Sequence, residues 1–227
     1  VDDMGYVTIG SPGNTTDFGN LTAGRYAPVG ASSITRGLFA GGAVPSEVNN
    51  IDYITIATPG NGTDFGDLTT ARYSFSGCAG DTRAVWGGGL TPSVSNVIDY
   101  VTIDTTGNAT DFGNLSVSRN NDAASSAPAG GARGVFGGGQ EPSLSNVIDY
   151  ITIASTGNAT DFGNLSSNRA GPAANANATR GTFGGGDTAS GSSNVIDYIT
   201  LTSTGNATDF GDLTVARQYF SGCSGDT

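Results

Sequence analysis

The chain has no lysine and no histidine, so all nine of its basic residues are arginine. Without histidine it lacks the side chain that most often serves as a general base or metal ligand near neutral pH. Cysteine occurs only at Cys78 and Cys223, too sparsely for a disulfide framework. No apolar run approaches the ~20 residues that span a bilayer as a helix. The nine arginines face 20 acidic residues, for a formal net charge of −11. That balance argues against nucleic acid, which needs a basic footprint, and against anionic membranes. Helix formers such as Glu, Gln and Leu are scarce. What is present is 37 Gly among many Thr, Val, Ile, Tyr and Phe. This is an all-β composition.

One unit of about 47 residues recurs five times. Tyr6, Tyr53, Tyr100, Tyr150 and Tyr198 stand 47, 47, 50 and 48 residues apart, and Phe18, Phe65, Phe112, Phe162 and Phe210 repeat those steps. The units run approximately over 1–50, 51–97, 98–147, 148–195 and an incomplete 196–227, within one domain. Each reads as four strands separated by Gly, Asn, Pro and Ser turns. The innermost is rich in Gly, Ala, Ser and Cys. A Val-Phe-Gly-Gly-Gly strand follows, then Val-Ile-Asp-Tyr-Ile-Thr-Ile, then Thr-Asp-Phe-Gly outermost. The third strand is apolar on both faces by the two-residue period, as a strand sandwiched between neighbouring sheets would be. The expected fold is a five-bladed β-propeller, four strands per blade, closed by pairing of the N- and C-terminal segments. Counting strands leaves that closing blade one short, so another chain or a continuation of this one is expected to complete it.

The order Gly87-Gly88, Tyr100, Phe112, Arg119 resembles the kelch repeat, with two departures. Asp precedes Tyr here, and Phe stands where kelch units usually carry Trp. The longer phrase Asn-Val-Ile-Asp-Tyr-Ile-Thr-Ile…Gly-Asn-Ala-Thr-Asp-Phe-Gly resembles repeat arrays in virion structural proteins of marine bacteriophages, cyanophages especially. The resemblance implies a virion or extracellular location.

The arginines occupy two repeat positions. Arg25, Arg72, Arg119, Arg169 and Arg217 follow Asp-Phe-Gly; Arg36, Arg83, Arg133 and Arg180 open the Gly-rich strand. Asp52, Asp99, Asp149 and Asp197 recur in the third strand. If the hairpin turn centres near Thr91, Arg83 faces Asp99 and Val85 faces Val97. By the same register Arg36 pairs with Asp52, Arg133 with Asp149 and Arg180 with Asp197. These are expected as structural charge pairs, because a site used once should appear once. The first unit has Gly5 in place of Asp and no preceding Arg strand.

Gly-Asn-Ala-Thr-Asp-Phe-Gly-Asn at 107–114 gathers oxygen ligands, yet it lacks an EF-hand or a Gly-Gly-x-Gly-x-Asp pattern. It reads as a turn followed by a strand, with no metal or cofactor expected. The Asn-x-Thr sequons at Asn14, Asn61, Asn108, Asn158 and Asn206 likewise read as turn chemistry. Both cysteines are expected as small, free, buried thiols. With no nucleophile–base pair, the chain reads as non-enzymatic. Residues that differ between units, namely Tyr73, Phe75, Trp86, Tyr219 and Phe220, form the candidate binding surface. The function expected first is a structural or adhesion element of a phage virion, in a tail fibre or on the capsid, contacting other virion proteins or the host surface. The alternatives are a propeller lectin binding host-surface glycans and an intracellular kelch-type scaffold.

Overall fold

The computed structural model describes residues 1–8, 10–126 and 132–222. Among them every regular element is a β-strand and none is a helix. Unit one supplies β1 (Asp3–Tyr6) and β2 (Thr16–Asn20), paired as a two-stranded sheet. Four four-stranded antiparallel sheets follow, called blades A to D. Blade A holds β3 (Val29–Ser32), β4 (Arg36–Ala40), β5 (Asn50–Thr55) and β6 (Thr63–Asp67). Blade B holds β7 (Ser76–Ala79), β8 (Arg83–Gly87), β9 (Val97–Thr102) and β10 (Thr110–Asn114). Blade C holds β11 (Ala123–Ser126), β12 (Arg133–Gly137), β13 (Val147–Thr152) and β14 (Thr160–Asn164). Blade D holds β15 (Ala173–Ala176), β16 (Arg180–Gly184), β19 (Val195–Thr200) and β20 (Thr208–Asp212). A small hairpin, β17 (Asp187–Thr188) with β18 (Gly191–Ser192), sits between β16 and β19 and absorbs the extra residue of that unit. Strands pair in chain order, so each blade is a meander.

The expected closure is not formed among the described residues, and the segment around Cys223 expected to join the ends lies outside them. β1 pairs only with β2, and no strand pairs with a segment after Asp212 among the described residues. The described residues therefore form four four-stranded blades flanked by a two-stranded half-blade. The small-residue strands β3, β7, β11 and β15 neighbour one another in succession, so they form the inner side of the array. Their smallness has a local cause. A Cβ at Gly77 in β7 would stand 2.5 Å from the Trp86 ring.

The apolar core lies between blades, one cluster per interface. Between A and B, Leu38, Ile51, Phe65 and Leu68 meet Trp86, Val101 and Ile103. Between B and C, Val85, Ile98, Phe112 and Leu115 meet Phe136, Ile151 and Ile153. Between C and D, Val135, Ile148, Phe162 and Leu165 meet Phe183, Ile199 and Leu201. The two-sided apolarity of the third strand is thus used on both faces. Fully burying one such side chain contributes about 1.5–3 kcal/mol, so stacking supplies most of what holds a blade in place.

The Asp-Phe-Gly segment is a β-bulge. In blade B the register shifts between Asp111 and Gly113, leaving Phe112 as the extra residue. The glycine that follows has φ of +138 to +144° in all five units. The bulge lets the phenylalanine meet its unit's tyrosine edge to face, at centroid separations of 5.8–6.0 Å.

Candidate functional site

Each crossover from an outer strand to the next inner strand carries Leu-Ser/Thr and, three residues after the hydroxyl, Arg. In the crossover to blade B, Thr69 Oγ1 donates to Asp99 Oδ1 at 2.6 Å and Thr69 N donates to Asp99 Oδ2. Arg72 Nη2 donates to Asp99 Oδ2 at 2.9 Å and to the Trp86 carbonyl, Nη1 donates to the Val97 carbonyl, and Nε has no partner. Both charged side chains are wholly buried. The clasp recurs as Arg25–Asp52, Arg119–Asp149 and Arg169–Asp197, with Thr22, Ser116 and Ser166 as the hydroxyl partners. Burial lowers the Arg72 pKa, and nearby Asp99 and then Asp122 oppose that shift. Arg169 is lowered by burial in the same way and held up by Asp197. An arginine guanidinium nonetheless keeps its charge inside a protein.

The clasp corrects the expected charge pairs. Asp99 is paired with Arg72 rather than Arg83, and Asp52, Asp149 and Asp197 take Arg25, Arg119 and Arg169 rather than Arg36, Arg133 and Arg180. The reason is register. Leu90 and Val94 bridge across the turn, which moves the hairpin centre beyond Thr91. Arg83 therefore lies opposite Thr102, and Val85 opposite Tyr100. Arg36, Arg83, Arg133 and Arg180 instead lay their guanidinium groups over Tyr53, Tyr100, Tyr150 and Tyr198 at 4.5–4.7 Å. The first three also donate to a carbonyl in the next blade: Ile103, Ile153 and Leu201 respectively.

A second recurring joint links neighbouring units at their outer edge. The Gly-Asn-x-Thr turn of one unit seats on the outer strand of the unit before it. Gly60 N donates to the Phe18 carbonyl and Gly62 N to the Asn20 carbonyl, both at 2.7 Å. The same two bonds recur from Gly107 and Ala109 to Phe65 and Asp67, from Gly157 and Ala159 to Phe112 and Asn114, and from Gly205 and Ala207 to Phe162 and Asn164. The turn asparagine completes the joint. Asn61, Asn108, Asn158 and Asn206 each accept, through Oδ1, a bond from the backbone N–H of residue 20, 67, 114 or 164 at 3.1 Å. Four of the five sequon asparagines are thus inter-unit caps, a role more specific than the turn expected of them.

The candidate binding surface is only partly at the surface. Trp86 and Phe75 are buried, because both serve the A–B interface. Tyr73 and Phe220 are half-buried, and Tyr219 is exposed. Shallow clefts lie elsewhere, beside the Gly-Asn turns of two successive units. One, of about 340 Å³, is lined by Tyr53, Thr55, Thr58, Asn61 and Thr63; the other, of about 320 Å³, by Tyr100, Thr102, Thr105, Asn108 and Thr110. Among the described residues no cluster of three or more acidic or cysteine side chains could hold a metal ion. Residues 107–114 form the turn and strand of the edge joint.

One buried polar group stands outside the repeats. Asp122 accepts a 2.7 Å bond from Ser76 Oγ, while its Oδ1 has no partner. Burial pushes its pKa up to about 6, opposed by Arg119 and then by the Ser76 bond. Cys78, free and buried, is pushed to about 12 by burial and then by Asp122. Cys223 lies outside the described residues. The chain matches no family model and no curated protein.

Proposed function

We propose that this chain is a non-enzymatic structural or adhesion element of a phage virion, placed in a tail fibre or on the capsid. Its blades are read as those of a kelch-like propeller array. One observation carries the non-catalytic part of the reading. The four buried Asp–Arg clasps join each crossover to the blade it enters, with every carboxylate also bonded to a Ser or Thr hydroxyl. Residues that would otherwise be candidates for acid–base chemistry are committed to the frame and closed to solvent. The phage setting rests on the resemblance of the repeated phrase, and Lys-free, Thr- and Asn-rich surfaces suit a protein exposed outside cells. Mass spectrometry of purified virions tests it. Peptides of this chain in the particle support the reading, and their consistent absence from virions of the source phage removes it.

A second reading is glycan binding. It is favoured by the clefts beside successive Gly-Asn turns, where one tyrosine and several threonine hydroxyls repeat at the same place. Weak sites of this kind gain avidity through repetition. One face of each tyrosine is already taken by arginine, so hydroxyl contacts would carry recognition. A glycan array with no hit above background rejects this reading.

A further inference from the structure

The edge joint is made four times within the chain, and both of its halves also occur once unfilled. On blade D, the backbone groups of Phe210 and Asp212 that match the bonded groups of Phe18 and Asn20 have no such partner among the described residues. A Cβ at Gly19, Gly66, Gly113 or Gly163 would stand 2.4–2.5 Å from a glycine of the seated turn. A Cβ at Gly211 meets nothing within 4 Å among the described residues. Phe210 is 56% exposed, whereas Phe65, Phe112 and Phe162 are 2–3% exposed. Leu213 is half-buried where Leu68, Leu115 and Leu165 are buried. The other half is the turn of unit one. Gly13-Asn14-Thr15 keeps the Gly-Asn-x-Thr pattern of the seated turns, is exposed, and a Cβ at Gly13 also meets nothing within 4 Å among the described residues.

We infer that the outer edge of blade D, Phe210–Asp212, docks the Gly13-Asn14-Thr15 turn of a second copy of this chain. The contact continues an interface the chain already makes with itself. Gly13 N would donate to the Phe210 carbonyl, Thr15 N to the Asp212 carbonyl, and Asp212 N to Asn14 Oδ1. It would cover Phe210 and the open edge of β20, a feature that otherwise invites uncontrolled pairing. Because different surfaces meet, the association is heterologous and head-to-tail. A second copy is favoured over the same molecule because both halves stand empty in this conformation of the chain.

The joint lacks one component. Arg217 and Thr214, exposed here, correspond to Arg72 and Thr69, but the residue that would complete their clasp on unit one is Gly5. Thr15 fills the space the aspartate would need. A Cβ at Gly5 would lie 2.4 Å from the Thr15 methyl, and the residues matching Thr15 in the other units are Gly62, Ala109, Ala159 and Ala207. The intermolecular joint is therefore weaker than the internal ones, and restoring the aspartate should tighten it.

Sedimentation velocity over about a hundredfold range of protein concentration tests the inference. The expected result is a weight-average mass that rises with concentration in the native chain and stays monomeric in Asn14→Ala and Gly211→Ala. Gly5→Asp combined with Thr15→Ala should shift association to about tenfold lower concentration, as one added charge-assisted clasp implies. A Thr15→Cys chain mixed with an Asp212→Cys chain should give a disulfide-linked heterodimer. A monomer at every concentration overturns the inference. So does association that ignores Asn14→Ala, or a disulfide formed within a single molecule when one chain carries both Thr15→Cys and Asp212→Cys.

Discussion

Asp99→Ala should be among the most damaging single substitutions in the protein. The carboxylate accepts from Thr69 Oγ1, Thr69 N and Arg72 Nη2, all within one buried clasp. Truncating it leaves the Arg72 guanidinium charged, buried and without its counter-ion. Breaking one partner of a buried pair costs about 3–5 kcal/mol. Against a total stability of about 5–15 kcal/mol, that is a large fraction. In urea, with m near ~3 kcal/mol/M, the midpoint should fall by more than about 1 M. The pairing itself is read by double-mutant cycles. Arg72→Met with Asp99→Ala should show a coupling energy above about 1 kcal/mol, whereas Arg83→Ala with Asp99→Ala should be additive within about 0.5 kcal/mol. A loss below about 1 kcal/mol for Asp99→Ala, or coupling to Arg83 in place of Arg72, would refute the clasp.

Asp122 gives a pH test. Its folded-state pKa of about 6 exceeds its ordinary value of 3.8, so the folded form holds the proton more tightly. Its contribution is fully present below about pH 4 and is lost as pH rises through about 6, a difference of about 3 kcal/mol. Asp122→Asn should therefore gain stability over the native chain at pH 7 but not at pH 4, measured as paired thermal melts; an equal offset at both pH values would contradict this. Cys78 should resist a thiol reagent in the folded protein and react promptly once unfolded in urea, since burial holds its pKa at about 12. Gly66→Ala should cost more than about 1–3 kcal/mol in chemical denaturation, because φ is +141° and the new Cβ would meet the Gly107 backbone at 2.5 Å. Gly60→Ala, with open space around it, should be nearly silent. Trp86, the sole tryptophan and wholly buried, should emit at short wavelength and shift red in one step as the A–B interface opens.

The strand order was legible in the sequence because each strand has its own composition. Small residues mark the inner strand, Gly-Gly closes the second, both-face apolarity marks the third and Asp-Phe-Gly the fourth. Two-faced Val-Ile-Asp-Tyr-Ile also announced stacking, and the three interface clusters use both faces. The arginine partners were not legible. Two arginine sets and one aspartate set share a single period, so spacing alone fits either pairing. Unit one lacks the aspartate, and no arginine of either set precedes it, so that coincidence could not decide between them. A signal did exist, in the hydroxyl residue three positions before each crossover arginine: Thr22, Thr69, Ser116 and Ser166. Burial of Trp86 and Phe75 was hidden for a different reason. Variation among units was read as surface, whereas Trp86 takes the interior place that Phe136 and Phe183 hold in later units. Closure depended on contacts between distant segments, about which a local repeat pattern carries no information.

Amide hydrogen exchange, read residue by residue at low protein concentration, tests the central claim that Gly-Asn turns fasten one unit to the next. The amides of Gly107, Gly157 and Gly205, with those of Asp67, Asn114 and Asn164, should exchange slowly although they lie in turns and outermost strands. Gly13 and Asp212, the unfilled counterparts, should exchange fast. Equal rates across all units, or fast exchange at Gly107, Gly157 and Gly205, would contradict the account.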